Sequence, residues 1–337
     1  MEEGTTGSLS EAERFGLGVV VGKFLPPHRG HRFLVETALS RCDKVVVIIC
    51  GKPVDPIPPE LRAAWMREML PVAEVMLIDD RYDENDSRVW AENTIGWLGR
   101  APDAVFTSED YGERYAGLMG SRHVMVDRAR LAVPCSGTAV RADPFAMWDF
   151  IDPPLREWFA KRVVIVGAES TGTTTLAMDL ARELKTPWVP EYGREYSARK
   201  QAGGDPVWHS AEFLEIAREQ TRQEDQAARE ANRILICDTN SFATVQWHRR
   251  YMGTACPELE AYAAQCRADL YFLTGDEIPF VQDGLRDGEH IRHEMHAWFG
   301  AALAAQPAPW FLLRGSRESR VAQAIAIMKR LWPQWQH

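Results

Sequence analysis

The chain has 337 residues, 45% apolar and 26% charged, enough for two domains that each bury a core. Its net charge of −9 excludes a general nucleic-acid binder, which needs a basic stripe to displace counterions. Six cysteines without a CxxC pair, an acidic start (MEEGTTGSLSEAERFG) without an apolar h-region, and no apolar run of membrane-spanning length predict a reduced, cytoplasmic protein that is not a membrane protein. Residues 1–16 are expected to be disordered.

From residue 17 short apolar runs alternate with helix-like stretches. GVVVGKF, KVVVIIC, EVMLIDD, DAVFTS and HVMVD read as buried strands. HRFLVETALSR, PELRAAWMREML, SRVWAENTIGWL and DYGERYAGLMG between them have helical spacing. Continuous β-branched runs separated by helices predict an α/β, doubly wound parallel sheet over residues 17–142. Such sheets bind ligands at the carboxyl ends of their strands, where the strand order reverses.

Two motifs fall at such strand ends. The first strand is followed by LPPHRGHRF, with His28, Gly30 and His31 at a strand-to-helix turn. Gly30 permits close backbone approach, the helix start offers unpaired N–H groups, and two imidazoles can donate to phosphate oxygens as charge develops. A metal pair and two ordinary surface histidines are the competing readings, and no third ligand is evident nearby. After the last strand comes VPCSGTAVRADP, where Ser136, Gly137 and Thr138 form a capped helix start and Arg141 lies on its first turn, able to fork onto phosphates.

The pattern breaks over residues 143–161, DPFAMWDFIDPPLREWFAK, where Pro144, Pro153 and Pro154 are expected to interrupt helix propagation within a packed, aromatic linker. A second α/β series occupies residues 162–337, with RVVIVG, TPWVPEY, ILICDTN, LYFLTGD and PWFLLRG as strands and a long charged helix from SAEFLEIAREQ onward. No internal repeat links the halves. Its first strand runs into GAESTGTTT, a strand–loop–helix match to a phosphate-binding P-loop. Gly167, Glu169, Ser170, Thr171, Gly172, Thr173, Thr174 and Thr175 would cradle phosphate through backbone N–H groups, with Thr174 reaching Mg²⁺. The position that takes lysine in the motif holds Thr173. VPEYGREY places Glu191 and Arg194 after the second strand, Asp238 ends the third at the place of a Walker-B-type metal carboxylate, and FVQDGLRDGEHIRHEM carries Arg286 and Arg292 in a lid-like segment.

An ammonium about 4 Å from a phosphate charge is worth roughly 4 kcal/mol at an effective dielectric of about 20. If that attraction grows in the transition state, its loss costs on the order of 10³ in rate. Lys161 and Arg162 start the strand that ends at Gly167, roughly 15 Å away at about 3.3 Å per residue, so a substitute cation is expected from the lid or the EYGRE segment.

Together the HxGH and SGTxxR motifs resemble the signature pair of the nucleotidylyltransferase superfamily, which transfers an adenylyl group from ATP without a covalent intermediate. The resemblance implies that Lys23, His28, His31, Ser136, Thr138 and Arg141 contact the ATP phosphates, bridged by Mg²⁺. With VFTSEDYGERYA and the fused P-loop domain, residues 17–320 resemble the bifunctional nicotinamide-mononucleotide adenylyltransferase/ribosylnicotinamide kinase (NadR-like) family, without its helix-turn-helix repressor domain. That implies ATP, nicotinamide mononucleotide (NMN) and ribosylnicotinamide as small-molecule substrates, no nucleic-acid partner, and a homo-oligomer. Trp90 and Trp97 are candidates to stack on the cationic nicotinamide ring. In kinases similar to the second domain a carboxylate in the place of Glu191 activates the acceptor hydroxyl, and arginines in the places of Arg194, Arg286 and Arg292 stabilise the moving phosphoryl. Two alternatives stay open: a second domain that senses nucleotide or binds a partner, and a first domain that serves another acceptor, such as a flavin or pantetheine phosphate.

Overall fold

In the computed structural model, residues 14–83, 86–205 and 207–335 are described. The chain divides into two units between Pro154 and Leu155. The first unit contains β1 (Phe15–Gly22), α1 (Arg29–Arg41), β2 (Cys42–Gly51), α2 (Pro59–Met69), β3 (Glu74–Asp79), α3 (Ser87–Leu98), β4 (Ala104–Thr107), α4 (Gly112–Leu118), β5 (Arg122–Met125) and α5 (Gly137–Ala142). Its sheet is parallel throughout, in the order β3-β2-β1-β4-β5, so strand order reverses at β1.

Side chains alternate across each strand, and both faces are covered, which is why these strands read as unbroken apolar runs. Val20, Val47 and Ile49 pack with Val35 and Ala38 of α1 and Met66 of α2. Val19, Val46 and Ile48 point the other way, onto Ala91 of α3 and Tyr115 and Ala116 of α4. β1 starts two residues inside the stretch expected to be disordered. Phe15 is buried there with its ring edge-on to Phe106 at 6.3 Å, and that burial holds the strand end. Residues 1–13 of the same expectation lie outside the described residues.

Pro153 and Pro154 start a helix, α6 (Pro153–Phe159), where interruption was expected. In the first turn a missing N–H costs nothing and the fixed φ is already helical. Leu155 of this helix is buried, as are Trp148 and Ile151 earlier in the chain.

The second unit holds β6 (Lys161–Val166), α7 (Thr173–Leu184), β7 (Trp188–Val189), α8 (Tyr192–Ala202), α9 (Ser210–Ala228), β8 (Ile234–Asp238), α10 (Ser241–Met252), α11 (Pro257–Ala263), β9 (Leu270–Thr274), α12 (Arg292–Ala305), β10 (Trp310–Leu313) and α13 (Arg317–Leu331). Its parallel order is β10-β9-β6-β8-β7, with the reversal at β6. β7 is only two residues long, because Pro187 and Pro190 flank it and neither can donate to the ladder. No helix among the described residues is long and apolar enough to cross a membrane.

Candidate active sites

The first site is a cavity of about 760 Å³ at the carboxyl end of the first sheet. Lys23, His28, Gly30, His31, Trp90, Ser136, Gly137, Thr138 and Arg141 all line it. Extended backbone at His28 ends the loop after β1, and its Nδ1 accepts the Gly30 N–H at 3.1 Å, capping α1. With Nδ1 accepting, the proton of the neutral ring sits on Nε2 and makes that atom a donor. A Cβ on Gly30 would lie 2.9 Å from the His28 ring, so only glycine lets the helix start this close. The His31 ring stacks on His28 at 3.8 Å with Phe24 edge-on at 4.8 Å. His31 Nδ1 is buried and has no partner among the described residues.

Burial, aided by the charge of Arg130, lowers His28 from 6.5 to about 4. Burial first, then His28 and Arg130, hold His31 well below its ordinary value. Both rings are therefore neutral at pH 7 in the ligand-free protein. The folded ring takes its proton only near pH 4, while an unfolded histidine takes it near 6.5, so the unfolded chain binds more protons between the two and stability is lost as pH falls through that window. Thermal melts of the first unit should drop from pH 6.5 to 4, less steeply in His28→Asn; an equal slope in both would sink the assignment.

Ser136 caps α5, accepting the Ala139 N–H at 3.1 Å. Arg141 lines the cavity, with its guanidinium folded back to donate to the Leu25 carbonyl and to Thr138 Oγ1 at 3.3 Å. Trp97, expected to stack on the ligand ring, does not line the cavity. It packs behind Trp90 at 6.2 Å and Tyr82 at 6.1 Å, filling the layer beneath α3.

Sequence reasoning missed three residues of this site. Arg62, fully buried on α2, donates to the Lys23 and Cys50 carbonyls and pairs with Asp55 at 2.5 Å, so it ties the ends of β1 and β2 together. Asp80, buried, lines the cavity with one oxygen unpartnered among the described residues. Arg130 lines it from the loop after β5 and pairs with Glu109 at 3.1 Å. A charged residue at an apolar helix position was the one available signal, for Arg62.

The second site lies at the carboxyl end of β6. Gly167, Glu169, Ser170, Thr173, Thr174, Glu191, Arg194 and Arg286 line a smaller cavity of about 120 Å³. Gly172, at φ +86°, makes the left-handed turn into α7. Thr174 Oγ1 donates to Asp238 Oδ2 at 2.5 Å. Asp238 is buried with Oδ1 unpartnered among the described residues. This pair of hard oxygen donors fits Mg²⁺. Burial first, then Asp238, pushes Glu191 up, and burial likewise raises Asp238.

Four expected residues stand elsewhere. Thr171 is buried under the loop, its hydroxyl donating to the Ala168 carbonyl at 2.7 Å. Gly172 sits at the turn outside the cavity lining, and Thr175 is exposed on the first turn of α7. Arg292 braces the loop by donating to the Ser170 carbonyl at 3.0 Å, and does not line the cavity. Its place at the start of α12, beneath the lid segment, aims it at backbone. Lys161 pairs with Asp269 at 2.7 Å and Arg162 with Asp225 at 2.6 Å, far from the loop as the strand length requires. Trp208, Phe213, Trp247 and Tyr251 add an aromatic wall that sequence patterning did not single out. Trp208 and Tyr251 lie 5.5 Å apart at 31°.

Residues 19–174 match the cytidylyltransferase-like family and residues 162–320 the AAA domain. The trifunctional NAD biosynthesis/regulator proteins NadR of Escherichia coli K12 and Salmonella typhimurium LT2 are each 28% identical over 293 residues, 80% of this chain and 71% of theirs. A NadR protein solved in complex with NR has a similar fold, at a TM-score of 0.78 and 22% identity over 95% of this chain and 97% of that one. A NadR protein solved with NAD and AMP-PNP aligns at 0.73 and 21% identity, over 95% and 98% of the two chains.

Proposed function

We propose, from the similarity to the NadR proteins and the geometry of the first cavity, that the first unit joins NMN to the AMP of ATP, forming NAD and pyrophosphate. One observation carries the reading: two stacked, neutral histidines share a cavity with Lys23, the α5 start and Arg141. An oxygen of the NMN phosphate attacks the α-phosphorus, and the bond to the β-phosphate breaks as pyrophosphate leaves. The His28 Nε2–H, Lys23 and Arg141 meet the charge growing on the leaving phosphates, and no protein nucleophile is needed. Trp90 offers an aromatic face to the pyridinium ring.

The second unit is proposed to phosphorylate ribosylnicotinamide, supplying NMN. Trp208 and Tyr251 present faces suited to the same cationic ring. Glu191 takes the proton of the acceptor hydroxyl as it attacks the γ-phosphorus and ADP departs. Thr174 and Asp238 would hold Mg²⁺, which neutralises phosphate charge when bound. The absent lysine at Thr173 favours a second reading for this unit, nucleotide sensing, which retains the first reaction.

Incubation with Mg-ATP and NMN should yield NAD, and with Mg-ATP and ribosylnicotinamide should yield NMN. Absence of NAD while flavin mononucleotide or pantetheine phosphate is adenylylated would overturn the acceptor assignment. ATP binding without NMN formation would leave the sensing reading for the second unit.

A further inference from the structure

The P-loop site lacks its lysine, yet it contains a buried cation that neither the loop nor the lid supplies. Arg250 lies on α10, with its side chain 6% exposed. Its Nη1 lies 2.7 Å from Glu169 Oε1, and Glu169 is itself only 13% exposed. Its Nη2 donates to Asp287 of the lid-like segment. The guanidinium sits over Tyr251 at 5.0 Å and Trp247 at 5.6 Å, two rings of the cavity wall. The lid backbone meets this pair at Gly288. Gly288 N–H donates to Glu169 Oε2 at 2.8 Å, and a Cβ on Gly288 would fall 2.8 Å from Arg250 Nη1.

The other cations at the loop are committed differently. Arg194 and Arg286 share Asp283, and their side chains are 44% and 25% exposed. Arg292 is spent on the Ser170 carbonyl, and the buried Arg320 of α13 on the Thr171 carbonyl and Glu277. Glu169 lines the phosphate cavity beside Glu191, so an unpaired carboxylate there would repel a triphosphate. A buried pair is screened least, which makes its partner the charge that matters most for anion entry.

We propose that Arg250 offsets the loss of the lysine at position 173 indirectly, by neutralising Glu169 at the P-loop and holding the lid segment against it. It is a positioning residue that acts through Glu169 and the lid rather than on the transferred phosphoryl. The assignment rests on the second unit being a nucleotide site, and not on ribosylnicotinamide being its acceptor. The compensating cation on this reading comes from α10, and not from the lid or the EYGRE segment as expected.

Calorimetric titration of the full chain with Mg-AMP-PNP, with saturating NAD filling the first cavity, tests this. Arg250→Ala should weaken binding at least tenfold, and Arg250→Lys should stay within about threefold of the parent. Adding Thr173→Lys to Arg250→Ala should restore most of the loss, which a purely structural role for Arg250 would not allow. Should Arg250→Ala melt early, Arg250→Gln against Arg250→Lys makes the same comparison of charge. Unchanged affinity in the neutral variants, or a double variant as weak as Arg250→Ala alone, overturns the proposal. AMP-PNP binding needs no acceptor, so failure to phosphorylate ribosylnicotinamide would sink the kinase reading and leave this one intact.

Discussion

Replacing His31 by alanine should cut NAD formation about 10²- to 10³-fold, the usual cost of removing one donor placed where transition-state charge develops. The ring is held by its stack on His28 and by the edge of Phe24, with a buried nitrogen that has no partner among the described residues. A group so placed gains most when the phosphates carry more charge than in the ground state. The loss should therefore fall on kcat, with a smaller change in KM for ATP. His28→Ala should cost at least as much, because it also removes the acceptor that caps α1 at Gly30. AMP-PNP binding by the second unit is the control and should not change. Normal NAD formation by His31→Ala would refute the assignment of the first site.

The second large effect has the opposite sign. Thr173→Lys should accelerate phosphorylation of ribosylnicotinamide by up to about 10³, the rate equivalent of roughly 4 kcal/mol from an ammonium at phosphate distance. The substitution leaves the bond of Thr174 to the Asp238 carboxylate in place. If Arg250 already offsets part of the charge, the gain should be smaller in the parent than in Arg250→Ala. Single-turnover rates of the four proteins measure both quantities. A Thr173→Lys chain no faster than the parent would show that charge at this position does not limit the reaction.

Both sheets were legible from unbroken β-branched runs, since strands covered on both faces leave little choice of residue. HRGH, SGTAVR and GAESTGTTT were legible for a different reason: each is a local helix start that lines a cavity, so its residues are adjacent in the chain. Trp90 and Trp97 were not separable. Their spacing puts them two turns apart on one helix, and only the packing of Tyr82 and α3 decides which reaches the cavity. Arg292 failed similarly, because a lid arginine can face either phosphate or loop backbone.

The sequence by itself determined the two sheets, the helix-start turns that line the two cavities and the threonine at position 173, all carried by near neighbours in the chain. Tertiary structure alone decided where the charge is balanced. Arg62 reaches the Lys23 carbonyl, Arg130 lines one cavity with His28, and Arg250 meets Glu169, each across tens of residues. Long cationic side chains have no periodic signature, and their partners are chosen by the fold that brings the elements together.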